Sequence, residues 1–168
     1  METAPHYLCI TEEAVLQFGA DAKVNPPLRT ADDTAAITAA VRSDAIAIIA
    51  TDHAPHSPEE KSAALTEAPC GLVGLETSLA VMAEVLAPKT PEDWRWLLNK
   101  LTAAPADLLG LPAGKLTVGG PADITIINPA AAWTVEPDRF HTMGRSTPFA
   151  GSILHTSVTD TIVAGKFI

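Results

Sequence analysis

Positive charge is scarce in this sequence: 11 Lys and Arg stand against 20 Asp and Glu, a formal net charge of −9 over 168 residues. So few cations exclude nucleic acid and an anionic membrane as principal partners, because both are held by neutralising their phosphates. Cysteine is scarcer still, with Cys9 and Cys70 alone. They form neither a C-x-x-C pair nor a disulfide framework, which fits a reducing compartment and leaves no cysteine metal site. No run reaches the ~18 apolar residues of a membrane span. Met1-Glu2-Thr3-Ala4-Pro5-His6 also lacks the basic-then-apolar order of a signal peptide, so the expected location is cytoplasmic. What remains is a globular composition, 47% hydrophobic, of about one domain's length and able to bury a core.

The chain reads as a βα half to about residue 110 and a β half over 111–168. Its first residues carry no strand or helix signal and run straight into a loop, which suggests a fragment. Thr30-Ala31-Asp32-Asp33 sets a hydroxyl three residues before an acid and predicts a helix from Ala31 to Val41. Ala45 to Ala50 is a short unbroken apolar run, the pattern of a strand buried on both faces of a parallel sheet. Leu72, Leu75, Leu79, Met82 and Leu86 recur at spacings of three and four and predict a helix of roughly Leu75 to Leu86. Thr90-Pro91-Glu92-Asp93 opens another helix, with Trp94, Leu97, Leu98 and Leu101 as its apolar stripe. A short helix from Pro105 to Leu109 ends on Gly110. Beyond it the period becomes that of strands, at Lys115–Thr117, Ala122–Asn128 and Thr156–Ala164.

Chemistry concentrates where the apolar run ends, in Thr51-Asp52-His53-Ala54-Pro55-His56. The carboxyl ends of parallel strands carry active sites, since a rigid strand fixes side chains below an accessible loop. Asp52 therefore stands where a catalytic carboxylate or metal ligand belongs, and a nearby imidazole can bind an anionic substrate or add a ligand. A helix N-cap Asp beside two surface histidines fits the spacing equally. Asn25, before two prolines, can present its amide to a ligand or simply form a turn. Cys70 has no neighbouring base and reads as inert. His6 reads as a structural group, Trp94 and Trp96 as core, and His141 and His155 as surface residues. Gly119-Gly120 lacks the phosphate-loop pattern.

Taken in order, Asn25-Pro26-Pro27-Leu28-Arg29, Ile49 to His56, Glu59-Glu60-Lys61 and Gly71 to Thr77 resemble the dihydroorotases, of the bacterial class I type within the amidohydrolase superfamily. Gly114-Lys115-Leu116, Gly120 to Ile124 and Thr147 to Gly151 extend the resemblance over nearly the whole chain. It implies an α/β fold: the carboxyl-terminal portion of a (β/α)8 metal-dependent barrel over 1–110 and part of a small β domain over 111–168. The implied reaction is the reversible hydrolysis of L-dihydroorotate to N-carbamoyl-L-aspartate in pyrimidine biosynthesis, usually at a binuclear zinc centre. By position Asp52 corresponds to the metal-coordinating aspartate that carries the proton, and His56 to the histidine on the substrate carboxylate. Asn25 corresponds to a substrate-binding asparagine, and Cys70-Gly71 to a turn whose backbone meets the pyrimidine ring. The family usually has Phe where Cys70 stands. His53 and His6 match the motifs without a ligand role.

A (β/α)8 barrel takes about 250 residues. No His-x-His pair occurs in the sequence. The remaining family ligands would come from strands this sequence does not contain, so the expectation is a chain inactive by itself, needing an amino-terminal barrel half. Other readings are a different cyclic amidohydrolase, such as a hydantoinase or allantoinase, and a non-catalytic dihydroorotase-like subunit supporting aspartate transcarbamoylase. A homo-oligomer is also compatible.

Overall fold

Two short strands anchor the first half in the computed structural model, which describes residues 1–168. Glu2–Thr3 (β1) and Ile48–Ile49 (β2) pair in parallel, Glu2 opposite Ile48 and Thr3 opposite Ile49, and Ala50 N–H donates to Thr3 O at 2.8 Å. The opening residues are thus a strand followed by a one-turn helix, His6–Cys9 (α1), where the sequence showed only loop. Conversely, the strand expected over Ala45–Ala50 shrinks to β2. Ile46 N–H donates to Ala40 O and Asp44 N–H to Val41 O, so the first part of the apolar run is tied to the end of the preceding helix.

That helix, Ala31–Arg42 (α3), begins as the sequence predicts. Thr30 Oγ1 accepts from Asp33 N–H, and Asp33 Oδ2 accepts from Thr30 N–H, a reciprocal capping box. Short helices Ala14–Phe18 (α2) and Pro58–Lys61 (α4) add to the expected elements. Helix Ser78–Leu86 (α5) starts later than its apolar period suggested. Leu72 is held in a parallel bridge with His53, Ala54 N–H donating to Leu72 O at 2.9 Å, and the N–H groups of Gly74 and Leu75 go to His53 Nδ1. Leu75 is consequently exposed. Helix Pro91–Leu101 (α6) carries the expected Thr90 capping box with Asp93 and buries Leu97 and Lys100. Helix Ala103–Leu109 (α7) ends on Gly110, whose φ of +65° is the left-handed stop that glycine accepts without strain.

The second half is an antiparallel sheet of Ile124–Thr134 (β3), Ile153–Val163 (β4) and Lys166–Phe167 (β5), in the order β3-β4-β5. The strand expected at Lys115–Thr117 is absent: all residues from 111 to 123 are exposed, with no strand beside them to pair. β3 runs past Asn128 through Pro129, which lacks an N–H, by a register shift between Asn128 and Ala132.

One apolar cluster joins the halves. Leu8, Val41, Ile49, Val73, Met82 and Leu97 pack with Val135, Phe140, Phe149 and Leu154. A smaller one, of Ala14, Ala22, Val24, Leu28 and Leu72, seats the 10–28 segment.

Candidate functional site

β2 delivers the chain into Asp52 with a backbone turn that side chains seldom adopt, at φ +51°. Asp tolerates this left-handed region better than most residues, but it still costs about 1–3 kcal/mol, and such strain gathers at functional sites. The next helix, α4, is capped by Ser57 and not by Asp52, which removes the N-cap reading left open by spacing. Its carboxylate is partly exposed and lines a cleft of about 370 Å³ with Asn25, Tyr7, Arg29 and the end of β1. Tyr7 Oη donates to Pro26 O at 2.7 Å and braces the turn that presents Asn25. The Tyr7 phenol is pushed up to about 12, first by burial and then by the charges of Asp52 and Cys70, so it stays protonated as a donor.

The other predicted residues stand behind this cleft and are tied to one another. His56 Nε2 donates to Cys70 O at 3.0 Å, and its Nδ1 lies 3.6 Å from Glu60 Oε2. Gly71 N–H donates to Lys23 O at 2.8 Å, while Gly71 O accepts from Lys61 Nζ at 2.7 Å. Gly71 must be glycine: its φ is +139°, and a Cβ there would sit 2.5 Å from Ala54 O. Lys23 Nζ also binds the carbonyls of Leu65 and Ala68, so two lysines hold the loop that carries Cys70. Burial lowers the Lys61 ammonium below its usual range, with Asp21 opposing. His56 faces a second cleft, of about 290 Å³, with Asp21, Lys61 and Arg145. Asp52 and Asn25 thus share one cleft, His56 lines another, and the Cys70-Gly71 turn has most of its backbone groups engaged within the chain.

Two histidines do more than their sequence context suggested. His53 Nδ1 accepts from Gly74 and Leu75 N–H at 3.2 and 3.3 Å, which places the ring proton on Nε2, aimed at Thr142 Oγ1 at 3.4 Å. It fastens the loop around Asp52 to the start of the α5 turn. His6 is only 1% exposed, and its Nε2 lies 3.4 Å from Asp52 Oδ2. Burial pulls its pKa down to about 4, against the opposing pull of Asp52. The sequence marks His6 only as a motif residue without a ligand role, just after a strand too short to see. His155, read as a plain surface residue, donates through Nδ1 and its backbone N–H to Glu84 Oε1 at 2.7 and 2.8 Å. Cys9 is half-buried, its thiol pushed up to about 12 by desolvation, and is inert.

No group of three or more His, Cys, Asp or Glu side chains that could hold a metal ion occurs in the chain. Even a single catalytic zinc normally takes about three protein ligands, so these donors do not fit a complete zinc centre. A further hollow, of about 870 Å³ between α5 and the β3-β4 sheet, contains none of the five predicted residues. No helix is long and apolar enough to cross a membrane.

Residues 7–168 match the amidohydrolase family. The chain is 42% identical over 167 residues to a dihydroorotase of Geotalea daltonii, and 45% identical over 173 residues to one of Pelotomaculum thermopropionicum. Each match covers 99% of this chain and 39% of the relative, so the chain spans about two fifths of the length of these curated relatives. Among solved structures, an L-hydantoinase (dihydropyrimidinase) from Arthrobacter aurescens superposes with a TM-score of 0.89 at 28% identity, over 99% of this chain and 38% of that one. A dihydropyrimidinase from Brevibacillus agri gives 0.87 at 23% identity over the same shares, a likeness of fold alone. The α/β fold expected from the sequence is the one these structures share.

Proposed function

We propose, from the premise that this chain belongs to the amidohydrolase family, that it supplies the Asp52 part of a dihydroorotase site, opening L-dihydroorotate reversibly to N-carbamoyl-L-aspartate. The observation that carries this is Asp52 in strained backbone at the end of a parallel strand, sharing a cleft with Asn25. A carboxylate so placed takes a proton from the water that attacks the cyclic amide carbon. It returns that proton to the ring nitrogen as the C–N bond breaks, so atoms and charge balance. Asn25 offers its amide to the ring. The Cys70 N–H, which takes part in no backbone hydrogen bond, is the group of the Cys70-Gly71 turn left for the substrate. His56 binds the substrate carboxylate only by exchanging Cys70 O for it.

Zinc, which the resemblance implies, would polarise the amide carbonyl and the attacking water; from this chain Asp52 is the one residue placed to hold it. The remaining ligands would come from the amino-terminal barrel half expected from the sequence. The partners of the assembled enzyme include the small-molecule substrate, and a homo-oligomer or an association with aspartate transcarbamoylase is compatible with this. The higher identity to dihydroorotases than to the hydantoinase favours the pyrimidine substrate over hydantoin.

The test is turnover of L-dihydroorotate, followed by ultraviolet absorbance with zinc supplied, by the chain alone and after adding a polypeptide equivalent to the rest of a dihydroorotase. The expected result is no turnover alone, turnover on complementation, and its loss in Asp52→Asn. Turnover by the isolated chain overturns the ligand count. Preference for hydantoin or dihydrouracil in the complemented enzyme moves the assignment to the other cyclic amidohydrolases, and no turnover in any combination supports a non-catalytic subunit.

A further inference from the structure

His6 closes α1 onto the end of β1 and is held there from several sides. Its carbonyl accepts from Ile10 N–H at 3.1 Å, its ring packs against Tyr7 with centroids 4.1 Å apart, and the adjacent Leu8 is in the main core. Within this frame Nε2 is fully buried and has no hydrogen-bond partner. A buried polar atom left unpaired costs about 1–3 kcal/mol, and native proteins keep few of them. The acceptor it faces is Asp52 Oδ2 at 3.4 Å, just beyond good bonding distance. Two locally unfavourable features, an unpaired imidazole nitrogen and a left-handed aspartate, therefore meet at one point.

Because Nε2 has no access to solvent, it reaches neither a substrate nor a metal ion in the open cleft. It can act only through the carboxylate in front of it. A small rotation of the partly exposed Asp52 side chain brings Oδ2 into bonding range while the buried ring stays fixed. We propose that His6 is the positioning residue of Asp52: its Nε2–H holds Oδ2 from behind and leaves Oδ1 turned to the cleft. This rests on the reading of Asp52 as the proton carrier. It explains why a histidine is buried at this point, where an apolar side chain would satisfy packing alone. Outer partners that orient a reacting or ligating group typically change activity by about 10–100-fold when removed.

The first experiment needs no turnover. In the ¹⁵N-labelled 168-residue chain, long-range ¹H–¹⁵N correlation of the His6 ring should show the proton on Nε2 alone, and Asp52→Ala should shift that resonance. A proton on Nδ1, or an Nε2 signal indifferent to Asp52→Ala, overturns the proposal. The second uses the complemented enzyme. His6→Phe is expected to lower kcat about 10–100-fold with KM within about twofold. His6→Gln, which keeps a donor near the same place, should recover most of it. Equal losses in both variants, with equal melting temperatures, or an effect on KM alone, also overturn it. If no combination turns over, the dihydroorotase reading fails while the tautomer result still decides the His6–Asp52 contact.

Discussion

The two longest strands, β3 and β4, run eleven residues each and leave most of their side chains in solvent, whereas β2 is two residues long and both are buried. Length of ordered backbone and depth of packing are therefore uncoupled in this chain. β2 is short because β1 offers only two residues to pair with, yet Ile49 lies in the main cluster with Leu8, Val41 and Leu97. The sheet is long because its strands pair with each other, and it touches the core chiefly through Trp133, Leu154 and Val135 just beyond β3. Ile126, Val158, Val163 and Phe167 remain exposed on it. All five predicted site residues lie in the first half, where Asn25, Asp52 and Cys70 are exposed at the surface of the packed core and Gly71 is buried beneath.

The sharpest way to break this contrast is truncation in each region. Leu97, wholly buried, should lose about 2–5 kcal/mol on replacement by Ala, whereas Ile126→Ala should stay within about 0.5 kcal/mol. Urea unfolding of the two variants decides it, and a comparable loss at Ile126 would mean that the sheet is packed after all. Smaller is the expected cost of Asp44→Ala. Lys100 is 1% exposed, and its ammonium is satisfied by Asp44 Oδ1 and Ile46 O, the latter at 3.1 Å, with the Trp96 ring beneath it at 4.7 Å. Removing a partner that is itself half in water should cost about 1–3 kcal/mol, since a buried cation keeps only one oxygen. Asp44→Asn should recover part of that loss.

The exposed sheet makes a prediction about association more than stability. Uncovered apolar side chains on the sheet and its open edges invite pairing with another chain. The wild-type chain should sediment above its monomer mass of 17.5 kDa in the absence of a partner polypeptide. Ile126→Lys combined with Val158→Lys should shift it toward monomer while leaving the melting temperature nearly unchanged. A wild-type chain that is monomeric at all concentrations would remove the need for any covering partner.

Much of the helical framework was legible because helix starts are local. The Thr30 and Thr90 boxes need only a hydroxyl and an acid three residues apart, and both helices begin there. The long strands were legible too, Ala122–Asn128 overlapping β3 and Thr156–Ala164 overlapping β4, but the short ones were not, because a strand exists through its partner. Nothing local marks Glu2–Thr3, and nothing local shortens Ala45–Ala50. Leu72 and Leu75 keep helical spacing but are claimed by His53 and the 53–54 segment, contacts made across about twenty residues. The candidate site divides in the same way. Asp52 stood out from its place after an apolar run, and Asn25 from its motif. His6 did not, because what sets it apart is burial beside Asp52, and burial is a property of the folded chain.

One ionic contact spans the two regions and offers the smallest test. Glu84 on α5 accepts from the backbone N–H and the ring of His155 on β4. These hydrogen bonds, the backbone one first, hold the Glu84 carboxyl below its ordinary range against the cost of desolvation. A carboxylate whose folded-state pKa is depressed stabilises the fold at pH values above its unfolded pKa, and that contribution disappears as pH falls through the depressed value. With both side chains largely in solvent, the contribution should stay below about 1 kcal/mol. Wild type should therefore exceed Glu84→Gln slightly in stability near neutral pH, and the two should converge as the solution is acidified below the usual carboxylate range. Hydrogen exchange along β4 sharpens the reading. If the contact fastens the sheet to the body, Glu84→Gln speeds exchange at His155 more than at Thr161, farther along the same strand. Equal rates at both positions would show that the sheet is seated by Trp133, Val135 and Leu154 alone.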